Sequence, residues 1–369
     1  MRHSSYLEID LNFLDSNIQK IQKLAPHSKI LPMVKADAYG NGLVPIAQFL
    51  SRELNHEILG VATLGEALHL IQNCPTLKSE IYVFSDTELL NEKAREAYLN
   101  FNITPVLHQK SDLDVVLKDP SFKHLPLVIK INTGMNRLGL SLEELEEVAP
   151  LLKNRGVKHL MSHLACSYYV KKAGDKTERQ LLEFEKAKSI LKTAGVSVES
   201  TSISNSGAIE QGIGTNETFV RPGLMMYGPY SVEPRIWDGA QISRLVTKAM
   251  KTMVIKRGTP VGYGINVTNE DTFIVVIPLG YGDGLMTFAS GINLNVNGIE
   301  GKLFARVNMD MAFLAFGADK AGKIKQEDSI EIWSHDNRVI TDIATQMKTI
   351  PYQIMCGISG RIPRIYKVK

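Results

Sequence analysis

Cysteine is scarce: Cys74, Cys166 and Cys356 are the only three in 369 residues. An odd number at such separations builds no disulfide framework, and the spacing suits no metal, so a reducing compartment is expected. Long apolar runs are missing too. No stretch approaches the ~18 residues that a membrane-spanning helix needs, and Met1–Asp10 lacks the apolar centre of a secretory signal. The expectation is a soluble, cytoplasmic protein with no membrane partner. Charge of one sign is equally absent: 42 basic and 39 acidic side chains leave a net +3, and no segment concentrates the basic ones. Nucleic acid is therefore not an expected partner. Low-complexity segments are also missing.

What is present is an ordinary globular composition, 44% hydrophobic and 22% charged, in a chain long enough for two domains. Up to about residue 235, apolar runs of strand length alternate with helical stretches. The runs are Ile30–Val34, Ile58–Ala62, Ile81–Phe84, Ile103–Leu107, Leu127–Ile131, His159–Ser162, Val198–Ile203 and Phe219–Val220. Between them, Leu11–Ala25 repeats apolar residues at helical spacing behind Asp10, a plausible N-cap. Ser141 with Glu144 reads as a capping box, and Gly195 closes the helix Thr177–Ala194. Alternation of this kind predicts a parallel sheet, and eight runs fit a closed (β/α)8 barrel. Pro32 is awkward within a strand paired on both sides, so it belongs near the strand start. From residue 236 to 369 the texture changes. Val254–Lys256, Phe273–Ile277, Ile292–Val296, Lys302–Val307, Met311–Phe316 and Ser329–Trp333 read as strands, with Asn297-Gly298 as a hairpin turn and Ile340–Met347 as a helix. The fold class is α/β plus β: an N-terminal (β/α)8 barrel, then a C-terminal mostly-β domain.

The stretch Val34-Lys35-Ala36-Asp37-Ala38-Tyr39-Gly40-Asn41-Gly42 concentrates the chemistry. Lys35 ends an apolar run, which delivers an amine to the mouth of a pocket. Burial there lowers its pKa, because desolvation disfavours the charged form, and a neutral amine can form a Schiff base. Gly40 and Gly42 permit a tight turn. An isolated lysine at a strand end is ordinarily solvated, but the remaining blocks of the chain point elsewhere. Lys130-Ile131-Asn132-Thr133-Gly134-Met135-Asn136-Arg137, His163, Ser204-Asn205-Ser206, Arg221-Pro222-Gly223-Leu224, Gly262-Tyr263-Gly264, Gly280-Tyr281-Gly282-Asp283, Asn308-Met309-Asp310 and Arg361-Ile362-Pro363-Arg364 follow in order. Together these blocks resemble alanine racemases over nearly the whole chain, and the resemblance implies that the first residues, around Tyr6 to Ile9, join the second domain. Active sites of (β/α)8 barrels sit at the C-terminal ends of the strands, and Lys35, Arg137, His163, Asn205, Ser206, Arg221 and Gly223 all follow candidate strands. Cys166 lies three residues after His163 and tempts a Cys–His reading. A small buried thiol is the ordinary state of such a residue.

The resemblance implies pyridoxal 5'-phosphate (PLP) as cofactor, carried on Lys35, with Tyr39, Ser206, Gly223 and Leu224 at its phosphate. Hydroxyls, free N–H groups and a helix start suit a phosphate on chemical grounds as well; an ordinary serine N-cap is the alternative. Arg221 is implied against the pyridine nitrogen. An arginine only donates, which leaves that nitrogen unprotonated and the ring a weaker electron sink. Racemisation needs acid–base groups on both faces of the α-carbon. Lys35 and Tyr263 are the implied pair, Tyr263 reaching the site of a second subunit, so that a homodimer shares its active sites. A free tyrosine has pKa ~10, and His163 and Arg221 are implied to assist it. Arg137, Met309 and Tyr281 are implied to meet the amino-acid substrate, with Asn205 beside the cofactor. In many relatives the lysine matching Lys130 is carbamylated and steadies the matching arginine. The implied activity interconverts L- and D-alanine and supplies D-alanine for peptidoglycan. A racemase of broader specificity fits the same blocks. A PLP-dependent decarboxylase would need another residue in place of Tyr263, and a non-catalytic PLP-binding protein would be a barrel alone.

One departure stands out. Relatives often carry a tyrosine just before the Arg-x-Pro-Arg block, bordering phosphate and substrate, where this chain has Gly360. A wider pocket discriminates modestly, since a methylene of misfit is worth only ~1–3 kcal/mol. Racemisation of L-serine, slower than that of alanine, is therefore expected, and Gly360→Tyr should raise the alanine-to-serine ratio of kcat/KM. An unchanged ratio in a folded variant would mean that another side chain fills the gap.

Overall fold

The computed structural model describes residues 4–368. A first strand, β1 (Tyr6–Asp10), leads into the helix Leu11–Leu24, and eight short strands follow: β2 (Lys29–Ile30), β3 (Ile58–Thr63), β4 (Glu80–Asp86), β5 (Ile103–Leu107), β6 (Val128–Lys130), β7 (His159–Met161), β8 (Thr201–Ser202) and β9 (Phe219–Val220). All eight pair in parallel in sequence order from β3 to β8, and β9 pairs with β2. Two junctions close the barrel. Val34 N–H donates to Gly60 O at 2.8 Å and Gly60 N–H to Pro32 O at 2.9 Å, joining β2 to β3, while Arg221 N–H reaches Ser204 O at 3.1 Å between β9 and β8.

Pro32 departs from the sequence expectation. It lies after the regular residues of β2, not at the strand start. Leu31 and Met33 turn their N–H groups toward β9, bonding Val220 O and Pro222 O. The missing proline donor thus faces β3, where pairing resumes only at Met33 and Gly60. The run Val198–Ile203 also shrinks to Thr201–Ser202, Val198 making an isolated bridge to Val157.

Helices form where the caps direct. Asp10 accepts from Asn12 N–H at 2.9 Å. The helix Leu11–Leu24 turns Leu14, Ile18 and Ile21 into the core, each burial contributing about 1.5–3 kcal/mol. Ser141 and Glu144 form the reciprocal box: Ser141 N–H to Glu144 Oε2 at 2.8 Å and Glu144 N–H to Ser141 Oγ at 3.1 Å. Gly195 takes φ +73° just beyond Lys176–Thr193.

The remaining strands are β10 (Ser243–Lys248), β11 (Lys251–Ile255), β12 (Thr272–Ile277), β13 (Asn293–Val296), β14 (Ile299–Phe304), β15 (Ala312–Gly317), β16 (Ser329–Trp333) and β17 (Arg364–Lys367). They build two sheets, β16-β10-β1-β17 and β11-β12-β15-β14-β13. Asn297 and Gly298, at φ +54° and +81°, make the β13–β14 hairpin turn. β1 lies between β10, antiparallel, and β17, parallel. Neither partner shows in hydropathy, because charge cements them: Arg244 on β10 faces Glu8 across the ladder and grips both its carboxylate oxygens, at 2.7 and 3.1 Å. Burial alone would raise the Glu8 pKa. Hydrogen bonds from Arg244 and Lys367 outweigh it and hold the carboxyl at about 2. No helix among the described residues is long and apolar enough to cross a membrane.

Ser141→Ala removes one half of the capping box. It should lower stability by about 1 kcal/mol, read as a shifted urea midpoint with unchanged slope. An unchanged midpoint would show that the helix start is held by its packing alone.

Candidate active site

The ends of five of the eight barrel strands bring chemical groups to a common rim. Lys35 and Tyr39 follow β2, Lys130 ends β6 and Arg137 follows it, and His163 follows β7. Asn205 and Ser206 come after β8, and Arg221, Gly223 and Leu224 after β9. All ten line one cavity of about 200 Å³.

Lys35 is aimed by an unusual backbone. Ala36, Asp37, Ala38 and Tyr39 take φ of +52°, +54°, +51° and +56°, one turn of left-handed helix, which costs L-residues roughly 1–2 kcal/mol each. Its surroundings over-determine it. Ala36 N–H donates to Glu66 Oε1 at 2.6 Å, and Leu43 N–H to Asp37 Oδ1 at 2.7 Å. The Arg364 guanidinium donates to Gly40 O at 3.1 and 3.2 Å and to carbonyls of Ile358, Ser359 and Ile362. Gly40, at φ +80°, leaves no room for a Cβ, which would overlap the Met355 carbonyl. The sequence showed the glycines of this turn but not its hand, since alanine and aspartate give no such signal.

The cavity is rich in cations with little to neutralise them. Burial, then Arg137, lowers the Lys35 pKa. Burial, then Arg221 and Arg137, brings Lys130 down to about 8. His163 is held well below its usual value by burial, then by Arg221. Arg221 is itself buried, which lowers it to about 10. It donates to Ser202 Oγ and to the carbonyls of Ser162 and Ile203, none of them a carboxylate. From Arg221 a hydrogen-bond chain descends the barrel. Ser202 Oγ meets His159 Nε2 at 2.6 Å, His159 Nδ1 meets Ser200 Oγ at 2.9 Å, and Ser200 Oγ donates to Lys158 O at 2.6 Å. Because Ser202 accepts from Arg221 and Ser200 gives its proton to a carbonyl, the network assigns His159 the Nδ1–H tautomer.

At another part of the cavity, Ser206 Oγ accepts from Gly223 N–H at 3.0 Å and Met225 N–H at 3.3 Å. The Tyr39 hydroxyl lies so close to Gly223 that a Cβ there would overlap it. Asn205, not Ser206, is the N-cap: its side chain accepts from Ala208 N–H at 3.2 Å. The Ser206 hydroxyl is thereby released from capping. The helix it opens, Ser206–Glu210, has only five residues, so hydroxyls and N–H groups contribute more here than the dipole expected from the sequence. Cys166 is partly exposed, in place of the buried thiol expected.

Tyr263, Tyr281 and Met309 are not brought to Lys35 within one chain. They are 68%, 43% and 53% exposed, and Tyr263 and Met309 line a separate hollow. Asp310 beside them pairs with Arg361 at 2.8 Å. Gly360 is exposed, and a Cβ on it would meet nothing within 4 Å. It does not line the cavity. Two residues that do, Ser231 and Tyr352, carried no signal in the sequence.

Residues 9–231 match the alanine racemase N-terminal domain and residues 242–366 the alanine racemase C-terminal domain. The chain belongs to the alanine racemase family. It is 32% identical to the alanine racemase of Nitrosococcus oceani, over 96% of this chain and 97% of that one. It is 30% identical to that of Staphylococcus saprophyticus, over 98% and 94%. Among solved structures it resembles the alanine racemase of D-cycloserine-producing Streptomyces lavendulae, with a TM-score of 0.89 and 26% identity over 100% of this chain and 98% of that one. Alanine racemases are PLP-dependent isomerases, and the residues fit that cofactor. A recessed amine, a guanidinium without a carboxylate partner and a cradle of hydroxyls and N–H groups face one cavity.

His159 gives this racemase a pH signature. Burial brings its pKa to about 3, so the folded chain leaves it neutral while the unfolded chain charges it near 6.5. The unfolded state then binds more protons, and stability falls as pH drops from about 6.5 toward 3. One such group contributes up to about 1.4 kcal/mol per pH unit. In urea titrations between pH 6 and 4, His159→Gln should flatten the slope of stability against pH by that order. Equal slopes would mean that His159 titrates normally in the fold.

Proposed function

We propose that this chain interconverts L- and D-alanine by a two-base mechanism, with Lys35 of one subunit and Tyr263 of a second acting on opposite faces of the α-carbon. The observation that carries the reading is the Lys35 amine, turned by a left-handed backbone into a cavity that also holds Arg221, Ser206, Gly223 and Tyr39. Lys35 is the residue that carries PLP; Tyr39, Ser206, Gly223 and Leu224 take its phosphate, and Arg221 faces its ring nitrogen, with Asn205 alongside. PLP, when bound, supplies the electron-withdrawing ring that acidifies the substrate α-hydrogen. Lys35, with its pKa lowered by burial and by Arg137, exchanges a proton at Nζ on one face. Arg221 keeps its own proton and donates only. It leaves the opposing nitrogen without one, which restrains side reactions.

Tyr263 supplies the second proton from its hydroxyl. It is exposed and stands outside the cavity of its own chain, a placement that suits a residue serving a partner. His163 and Arg221 orient that hydroxyl, and Arg137 with the Met309 backbone holds the substrate carboxylate, with Tyr281 at the entrance. Lys130, at about 8, has a substantial neutral fraction near pH 7.5. That is the form that takes up carbon dioxide, and the resulting carbamate sets an anion against Arg137. The D-alanine formed serves peptidoglycan. The substrate range extends to serine for want of a ring at position 360, which stands outside the cavity of its own chain.

Lys35→Ala and Tyr263→Phe should each be inactive or nearly so, Tyr263→Phe by ~10²–10⁴-fold while retaining PLP. Mixed under conditions in which subunits exchange, they should regain activity, because a hybrid dimer holds one intact site. No recovery despite verified exchange would overturn the shared-site reading, and near-normal turnover by Tyr263→Phe would overturn its role as a base.

A further inference from the structure

Two hydroxyls at the cavity have no part in the mechanism above. Ser231 Oγ is fully shielded from solvent, lines the cavity and makes no well-formed hydrogen bond. Glu210 and Tyr352 lie near enough to interact with it but not in good geometry, and a buried hydroxyl without a well-formed bond carries a desolvation penalty that a ligand can relieve. Beside it lies Tyr352, on the short helix Pro351–Cys356. Its ring packs against Tyr39, with centroids 5.7 Å apart and planes tilted 41°. The Tyr39 hydroxyl in turn lies against Gly223, whose N–H is bonded to Ser206 Oγ. Ser206, Gly223, Tyr39, Tyr352 and Ser231 thus form a continuous line along one side of the cavity.

The loop carrying Ser231 is anchored from behind. Glu210 accepts from Ser231 N–H at 2.8 Å and from Val232 N–H at 3.2 Å. Burial raises the Glu210 pKa to about 7, so the anchor need not hold a full negative charge beside an anion. Gly360, outside this cavity, presents no side chain, and a Cβ there would meet open space. The chain therefore lacks the ring that relatives place at position 360 and has, on the cavity itself, a hydroxyl without a well-formed bond.

We propose that Ser231 and Tyr352 donate their hydroxyl hydrogens to the cofactor phosphate, supplying the contact that Gly360 withholds. The inference rests on the PLP-dependent reading above. It makes the phosphate cradle of this chain one of hydroxyls and backbone amides from both domains, with Tyr352 tying the C-terminal domain to the cofactor.

Titration of apoenzyme with PLP, followed by absorbance and by the ³¹P resonance of the bound phosphate, tests it, with pyridoxal as the probe lacking a phosphate. Ser231→Ala and Tyr352→Phe should each weaken PLP binding about tenfold or more and shift the ³¹P resonance, while pyridoxal binds as it does to the parent. Ser231→Ala deletes a single oxygen, so it keeps the test open if Tyr352→Phe fails to fold. Unchanged PLP affinity in Ser231→Ala, or equal losses for PLP and pyridoxal, would overturn the proposal. A parent protein that takes up no PLP would instead overturn the function on which the proposal rests.

Discussion

The four left-handed residues Ala36–Tyr39 are the constraint on which the site depends. A right-handed turn after β2 would carry the chain onward with Lys35 and Tyr39 pointing elsewhere. The left-handed turn costs several kcal/mol by ordinary steric reckoning, and the fold spends contacts from three regions to hold it. Glu66 reaches in from the next barrel unit, Met355 crowds Gly40 from the C-terminal domain, and Arg364 collects carbonyls from both sides of the junction. The Lys35 amine is thus positioned by the second domain as much as by the barrel that bears it.

A second constraint is charge. Lys35, Lys130, Arg137 and Arg221 share a cavity whose lining contains no carboxylate, and desolvation is the first cause of every lowered pKa among the buried cations there. An apolar pocket would not concentrate such a field, and a solvated one would screen it. The network below Arg221 accepts hydrogen bonds without neutralising it, because serine and neutral histidine supply lone pairs and no net charge. That leaves the guanidinium free to act on whatever occupies the cavity.

Much of this was legible in the sequence, and the parts that were not share a cause. The barrel strands showed because each is a short apolar run, and the Ser141 cap showed because its two residues are adjacent. β10 did not, because the Glu8–Arg244 pair that joins it to β1 looks polar until the two strands are side by side, and the place of Tyr6–Ile9 in the second domain was read from the resemblance alone. Pro32 was misplaced because its cost depends on which neighbour its missing N–H faces. Lys35, Arg221 and Ser206 were found through motif and strand-end position together. Ser231 and Tyr352 were not, since their meaning lies in a burial that no local pattern encodes. Tyr263 was named through resemblance alone, and within one chain it is exposed and stands outside the cavity.

The position of β1 has a consequence for synthesis on the ribosome. Leu7 pairs with Arg364 and Tyr6 with Val246, so β1 waits for β17 before its sheet is complete. Loop closure across such a span is slow, and through that interval β1 presents unpaired edges. The barrel can collapse earlier, but the clamp from Arg364 arrives only with β17. A nascent chain therefore holds Lys35 in an unfinished turn until β17 has been made, and the barrel by itself lacks the Arg364 clamp on Gly40.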